Sequence, residues 1–140
     1  MDIEIAKNSN YEIYVDTEKN RSYIKVIGRW MNRNQVKDFF PDWKKAASYM
    51  KPNFTIFADI RLMGSMSKEV ENLHQEIQVF LVEQGLLVTA QLASADELAD
   101  YQIHRSTQRS GLSIVKFDTR EAAERYLDEV TSEVVQKQQK

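Results

Sequence analysis

The sequence contains no cysteine among its 140 residues. This absence excludes disulfide bonds, thiolate metal sites and a cysteine nucleophile, and it is compatible with a reducing compartment. The chain also lacks an excess of Lys and Arg, since its formal net charge is −2. Proteins that bind nucleic acid neutralise phosphates with such an excess, so we expect no binding to DNA or RNA.

Long hydrophobic runs are missing as well. No window approaches the roughly 18 unbroken apolar residues that indicate a membrane-spanning helix, and the opening MDIEIAKNSN shows no basic stretch followed by an apolar core. We therefore expect no membrane insertion and no export signal, and we predict a cytoplasmic protein. Hydrophobic residues make up 42% of the chain and charged residues 29%, which is typical of one soluble globular domain.

The apolar pattern predicts the strands. In residues 11–30, YEIYVDTEKNRSYIKVIGRW, apolar and polar residues alternate around a polar turn, which indicates a β-hairpin. Residues 54–60, FTIFADI, form a nearly continuous apolar run that is typical of a strand covered on both faces, so we predict the central strand there. Shorter strands are predicted over residues 86–93 and 112–117.

Apolar residues at helical spacing predict the helices between these strands. Pro41 interrupts the first and predicts a kink or two short helices. Ser67 is a predicted N-cap of the second, and residues 94–97 have the form of a capping box before the third. Gln102 and Ser106 share the inward side of this third helix, which predicts either a shallow contact or a polar-lined crevice. A last helix follows residue 118.

The element order ββαβαβαβα predicts one α/β domain with a mixed sheet of about five strands and helices packed on it. We assign residues 1–10 to an N-terminal lead, 11–134 to the domain and 135–140 to a frayed tail.

Three stretches resemble small SpoIIAA-like proteins of the STAS and CRAL-TRIO-related group: the hairpin YEIYVDTEKNRSYIKVIGRW, the strand FTIFADIR with its following helix, and the ending SIVKFDTREAAERYL. The resemblance implies a SpoIIAA-like fold and a non-enzymatic cytoplasmic module that binds a partner protein or a small apolar ligand. In STAS-type antagonists of anti-sigma factors, a partner kinase phosphorylates a serine in the loop after the corresponding strand. Ser65 and Ser67 lie in that neighbourhood here, but the acidic residue beside the serine and the glycine after it are absent.

The candidate site lies at the carboxyl end of the predicted central strand, because ligands gather at such ends in open α/β sheets. Its candidate ligand-binding or interaction residues are Asp59, Arg61, Met63, Ser65 and Ser67. A guanidinium recognises carboxylate or phosphate groups in a planar, bidentate way, so Arg61 suits a polar head group. The alternative is that Asp59 and Arg61 form an ion pair with each other or with a neighbouring helix.

We expect a non-enzymatic module that binds a small apolar or amphipathic ligand. The alternative is a STAS-type interaction or regulatory module, and an enzyme comes third because no nucleophile motif such as G-x-S-x-G is present. Glu71 with His74, and Asp100 with His104, have the spacing of ligand pairs on a helix. Two ligands do not make a metal site, so we expect neither a metal nor a cofactor.

We also predict a homodimer through the hairpin region. Tyr14 and Tyr23 lie on the face opposite Ile13 and Val26, and Trp30 is a large apolar side chain at the exit of the hairpin. A symmetric interface would bury them. The alternative is that the first helix covers this face within one chain.

Overall fold

The computed structural model describes residues 2–138. The chain forms one α/β domain, as predicted, in the order β1 (Asp2–Lys7), β2 (Tyr11–Asp16), β3 (Arg21–Gly28), a short 3₁₀ helix (Arg33–Val36), α1 (Phe39–Ala47), β4 (Phe54–Met63), α2 (Lys68–Glu83), β5 (Leu86–Leu92), α3 (Glu97–Ser110), β6 (Ile114–Phe117) and α4 (Arg120–Gln138).

The six strands form one sheet in sequence order. Neighbours from β1 to β3 are antiparallel and neighbours from β3 to β6 are parallel, so the predicted mixed sheet is confirmed. The additional strand, β1, lies within the segment assigned to a lead at residues 1–10, where Ile3 and Ile5 alternate with charged residues. At the other end, α4 includes residues 135–138 of the predicted frayed tail, and residues 139 and 140 lie outside the described part of the chain.

The sheet is covered unequally on its two faces. Helices α1, α2 and α3 cover one face and form the main core, while α4 covers only part of the other face, over β4 to β6. The central position of β4 is confirmed, because Ile56 belongs to the main core and Phe57 to the smaller core under α4, with 3% and 4% of their surfaces exposed. On this other face α4 also reaches the start of β3, where Arg21 pairs with Glu124 and Asp128, and within residues 2–138 the face of β1 and β2 is left open.

Local signals explain two of the helix starts. The Ser67 hydroxyl accepts a hydrogen bond from the backbone N–H of Val70 at 3.2 Å, so the predicted cap of α2 is confirmed. The capping box predicted at residues 94–97 is wrong, because Asp96 caps α3 by accepting from the N–H groups of Leu98 and Ala99. The Ser94 hydroxyl instead donates to the carbonyl of Met63 at 2.7 Å and ties this connection to the end of β4.

Aromatic side chains fill the core beside the exit of β3. The first helical segment divides into the 3₁₀ helix and α1, as Pro41 predicts, and this division places Phe39 against Tyr11, Trp30 and His74. Trp30 is only 2% exposed, and its indole N–H donates to the carbonyl of Ile27. The prediction that Trp30 contributes to a dimer surface is therefore wrong, since α1 covers it within the chain.

None of the helices in the described part of the chain combines the length and apolar character needed to cross a membrane.

Candidate functional site

Asp59 and Arg61 point away from the main core and pair with each other. The Arg61 Nη2 lies 2.9 Å from Asp59 Oδ2, and its Nε lies 3.0 Å from Oδ1. Partial burial raises the pKa of Asp59, but the hydrogen bonds and positive charge of Arg61 outweigh this and lower the pKa below its ordinary value. The structure thus forms the ion pair that the sequence offered as the alternative to ligand recognition.

The remaining predicted site residues lie elsewhere. Met63 is buried in the main core, and Ser65 and Ser67 lie in the loop that leads into α2. The loop backbone is tied to α3, because the N–H of Ser65 donates to Asp96 Oδ2 at 3.1 Å and Gln102 hydrogen-bonds both backbone groups of Met66. The structure therefore does not bring the five predicted residues together into one pocket.

Asp59 and Arg61 instead line an open depression on the uncovered sheet face, with a volume of about 520 Å³. Tyr14 and Tyr23 also line it, and the guanidinium of Arg120 lies 5.5 Å from the Tyr23 ring centre. Acidic and basic side chains are mixed along its walls: Asp2, Glu12, Asp16, Asp59, Lys25, Arg61 and Arg120. This mixture gives the depression no single charge preference.

Helix α3 packs mainly against α2, and its residues Ala99 and Ile103 also join the main core over the sheet. Glu71 on α2 is 1% exposed and accepts a hydrogen bond from Arg105 Nε on α3 at 2.9 Å. The hydrogen bonds from Arg105 hold the pKa of Glu71 below its usual value, against the raising effect of burial. Gln78 adds a second link by donating to the Ser106 hydroxyl at 3.0 Å. The polar residues that the sequence places on the inward side of α3 thus hold it to α2, through Ser106, and to the loop before α2, through Gln102.

A crevice lies between α3 and the last two strands, but Gln102 and Ser106, from which the sequence predicts a polar crevice, do not line it. The α3–β6 crevice has a volume of about 410 Å³ and is lined by Gln91, Asp100, Ile103, His104, Thr107, Gln108, Leu112, Ile114 and Lys116. Lys116 on β6 reaches Asp100 on α3, with Nζ 2.8 Å from Oδ2. This ion pair joins the two sides of the crevice.

A smaller inner cavity of about 80 Å³ lies behind the α3–β6 crevice, between the sheet and the helices. Gln91, Ile103, Leu112 and Ile114 line both spaces, so these four side chains form their common wall. The other walls are mainly apolar and come from β3, β4, α1 and α2. The crevice at the surface and the inner cavity in the main core therefore adjoin across these four side chains.

Four neutral polar side chains line the inner cavity, namely His74, Gln78, Thr89 and Gln91, and Gln78 is already hydrogen-bonded to Ser106 and Ser110. Thr89 is 4% exposed, and its hydroxyl has no hydrogen-bond partner among the described residues. Gln91 follows on the same face of β5 and is 2% exposed. Burial lowers the pKa of His74 to about 4, with a smaller opposing effect from Glu71, so the imidazole is neutral at neutral pH.

The sequence pattern did not identify Thr89 and Gln91 on β5 as candidate site residues. It recognised the polar side of α3 but treated residues 86–93 only as a strand. Thr89 and Gln91 are two residues apart and therefore share one face of that strand. The available signal was two polar residues on one face of a strand that is otherwise rich in apolar residues.

Among the described residues, neither of the pairs with metal-ligand spacing, Glu71 with His74 and Asp100 with His104, is joined by a third possible ligand. Within residues 2–138, no three His, Asp or Glu side chains lie where they could hold a metal ion together. His74 stacks on Trp30 with ring centres 5.6 Å apart, whereas His104 is exposed at the α3–β6 crevice.

Comparisons with known proteins relate this chain to others by fold. No family model and no curated protein matches the sequence. Among solved structures, the chain is similar to an uncharacterised protein of the DUF3478 family from Shewanella loihica, which has a SpoIIAA-like fold. The match has a TM-score of 0.60 and 11% identity, and it covers 87% of this chain and 97% of the other. The comparison gives no support to the CRAL-TRIO part of the resemblance, but it confirms that this chain has a SpoIIAA-like fold.

Proposed function

We propose that the protein is a non-enzymatic binding module that holds a small amphipathic ligand in the α3–β6 crevice and the inner cavity. The observation that supports this most is that the inner cavity, which is lined by the buried Thr89, adjoins the crevice across only a few side chains. The crevice, at about 410 Å³, falls within the range of about 300–1,000 Å³ that is usual for ligand pockets. Most of the polar side chains line the crevice, and the walls of the inner cavity are mainly apolar, which suits an amphipathic molecule.

The proposed site lies beside the one that the sequence favoured. Asp59 and Arg61 satisfy each other, and the backbone of the loop after β4 is hydrogen-bonded to α3. By contrast, the Thr89 hydroxyl is buried without a protein partner. Buried polar groups without partners are uncommon, and a ligand is one way to satisfy them.

Native mass spectrometry of the purified protein tests this proposal. We expect a retained small molecule in the wild type and its loss in Leu112→Trp, because a larger side chain at the common wall fills the entrance. The matched control is Leu98→Trp, on the exposed surface of α3, which should keep the ligand. Absence of a retained mass, together with no binding in a fragment screen by NMR, would remove the proposal.

A STAS-type interaction module is the second candidate. The SpoIIAA-like fold suggests it, and the rigidly held loop after β4 lies near two exposed leucines. Leu62 at the end of β4 is 60% exposed, and Leu98 in the first turn of α3 is 55% exposed. We expect a partner protein to be captured by the wild type and by Val135→Asp on α4, but not by Leu62→Asp. Equal capture by both variants would argue against this surface.

The homodimer also remains a prediction, now through Tyr14 and Tyr23 alone. Both are half-buried, Tyr14 on the open sheet face and Tyr23 beside the smaller core under α4, whereas Trp30 is inside the main core. Sedimentation equilibrium at micromolar concentration distinguishes a doubled mass, abolished by Tyr14→Glu, from a single species near 16.4 kDa. The single species would remove the dimer.

A further inference from the structure

We infer that the ligand of the α3–β6 crevice is uncharged and carries one hydroxyl or carbonyl group, which hydrogen-bonds Thr89, on a small branched apolar body. This inference rests on the proposed function and adds the chemical class of the ligand. It follows from three properties of the walls: their charge, their uncommitted hydrogen-bonding groups and the size of the inner cavity.

The walls offer no uncompensated charge to an ion. The acidic and basic side chains that line the crevice are Asp100 and Lys116, and they pair with each other at 2.8 and 3.0 Å. The histidine behind them, His74, is neutral in the core, while His104 lies exposed at the outer edge. An anion or cation entering the crevice would have to displace one member of the Asp100–Lys116 pair or remain unpaired in an apolar cavity, and both are unfavourable.

The inner end of the site offers hydrogen bonds that the protein does not use. A threonine hydroxyl is both a donor and an acceptor, and that of Thr89 has no partner among residues 2–138. Thr89 is paired with Ile56 on β4 and with Ile114 on β6, so its surroundings within the sheet are apolar. A ligand hydroxyl or carbonyl would satisfy it without introducing charge.

The volume of the inner cavity limits the apolar group. At about 80 Å³ it is roughly half the size of an engineered apolar cavity of about 150 Å³ that accepts benzene. A short branched alkyl group therefore fits the inner cavity better than an aromatic ring does. The hydroxyl or carbonyl group would lie beside it, since Thr89 lines the inner cavity, and any further part of the ligand would occupy the crevice outside Leu112 and Ile114.

Four probes that share a branched alkyl group test the inference: 4-methylpentan-2-one, 2-methylpentane, 4-methylpentanoate and 3-methylbutylammonium. Each is titrated into the ¹⁵N-labelled protein at pH 7 while the amide signals of the crevice residues are followed by NMR. We expect the ketone to bind about tenfold more tightly than the hydrocarbon and either ion, because one buried hydrogen bond lowers a dissociation constant about tenfold.

Two substitutions at Thr89 distinguish the effect of its hydroxyl group from the effect of its side-chain shape. Thr89→Val removes the hydroxyl and should raise the melting temperature, because a buried polar group without a partner is lost, while it abolishes the preference for the ketone over the hydrocarbon. Thr89→Ser keeps the hydroxyl and should keep that preference, even though its missing methyl group lowers stability. A purely structural Thr89 would leave the ketone preference unchanged in both variants.

The possible results distinguish the two proposals. Tighter binding of the ketone that is lost in Thr89→Val and kept in Thr89→Ser supports the inference. Tighter binding of an ion, or equal binding of ketone and hydrocarbon, overturns the ligand class but leaves a binding crevice. If no probe shifts the crevice signals and wild type and Leu112→Trp behave alike in native mass spectrometry, the proposed function fails and the inference fails with it.

Discussion

Acidification should destabilise the protein through His74, which is buried beside two aromatic side chains. The imidazole stacks on Trp30 at a centre distance of 5.6 Å and lies edge-on to Phe39 at 5.7 Å. Burial lowers its pKa from 6.5 to about 4, although the negative charge of Glu71 raises it slightly. Protonation is therefore easier in the unfolded chain than in the folded one.

The direction and size of the effect follow from this difference. Between pH 6.5 and about pH 4 the unfolded state binds more protons at His74, so the free energy of unfolding falls as the pH falls through that range. For the two pKa values 6.5 and about 4, proton linkage gives a loss of about 2.5 kcal/mol between pH 7 and pH 4.5. Above pH 7 this histidine contributes no further change.

Urea unfolding at pH 7 and pH 4.5 measures the effect in the wild type and in His74→Phe. Phenylalanine keeps an aromatic ring beside Trp30 but does not titrate, so the variant should lose about 2.5 kcal/mol less on acidification than the wild type. Carboxylates with lowered pKa values, such as Glu71, also destabilise the protein in acid, and they contribute equally to both proteins. The difference between the two decreases in unfolding free energy therefore contains neither the contribution of these carboxylates nor any effect of the substitution on packing that is the same at both pH values.

His104→Gln is the matched control, since His104 is the second of two histidines and is exposed on α3. Between pH 7 and pH 4.5 the free energy of unfolding of His104→Gln should fall by nearly as much as that of the wild type, and by clearly more than that of His74→Phe. Equal losses in wild type and His74→Phe would refute the reasoning, because they would mean that His74 is accessible to solvent and protonates as easily in the folded state as in the unfolded one.

Three further predictions concern stability and are measured by urea unfolding at pH 7. Phe57→Ala should cost about 3–5 kcal/mol, because it leaves a cavity between β4 and α4, and a cost below about 1 kcal/mol would contradict the burial of this ring. Ser67→Ala should cost about 1 kcal/mol and Ser67→Asp should be tolerated, since aspartate also caps helices; equal losses would argue against capping. Gly85→Ala should cost more than Gly111→Ala, although both glycines have positive φ, because only at Gly85 would the added Cβ lie 2.8 Å from the Pro52 backbone.

Much of the architecture is determined by local patterns in the sequence. The apolar run around Ile56 and Phe57 identifies β4 as the central strand, since both faces of such a strand must be covered. Pro41 divides the first helical segment, and Ser67 starts α2, because these residues act on the backbone within one helical turn. The hairpin of β2 and β3 also follows from alternation within the chain.

The tertiary structure decided which element covers which face. The sequence shows Trp30 as a large apolar side chain, but only the position of α1 decides that it is buried within the chain rather than at an interface. Gln102 and Ser106 are visible as polar residues on α3, yet their partners Met66 and Gln78 lie 36 and 28 positions away. These groups hold α3 to α2 and to the loop before it, while other α3 side chains line the crevice beside the inner cavity. Residue periodicity determines which side of an element is apolar, whereas the space left between elements depends on contacts between residues far apart in the chain.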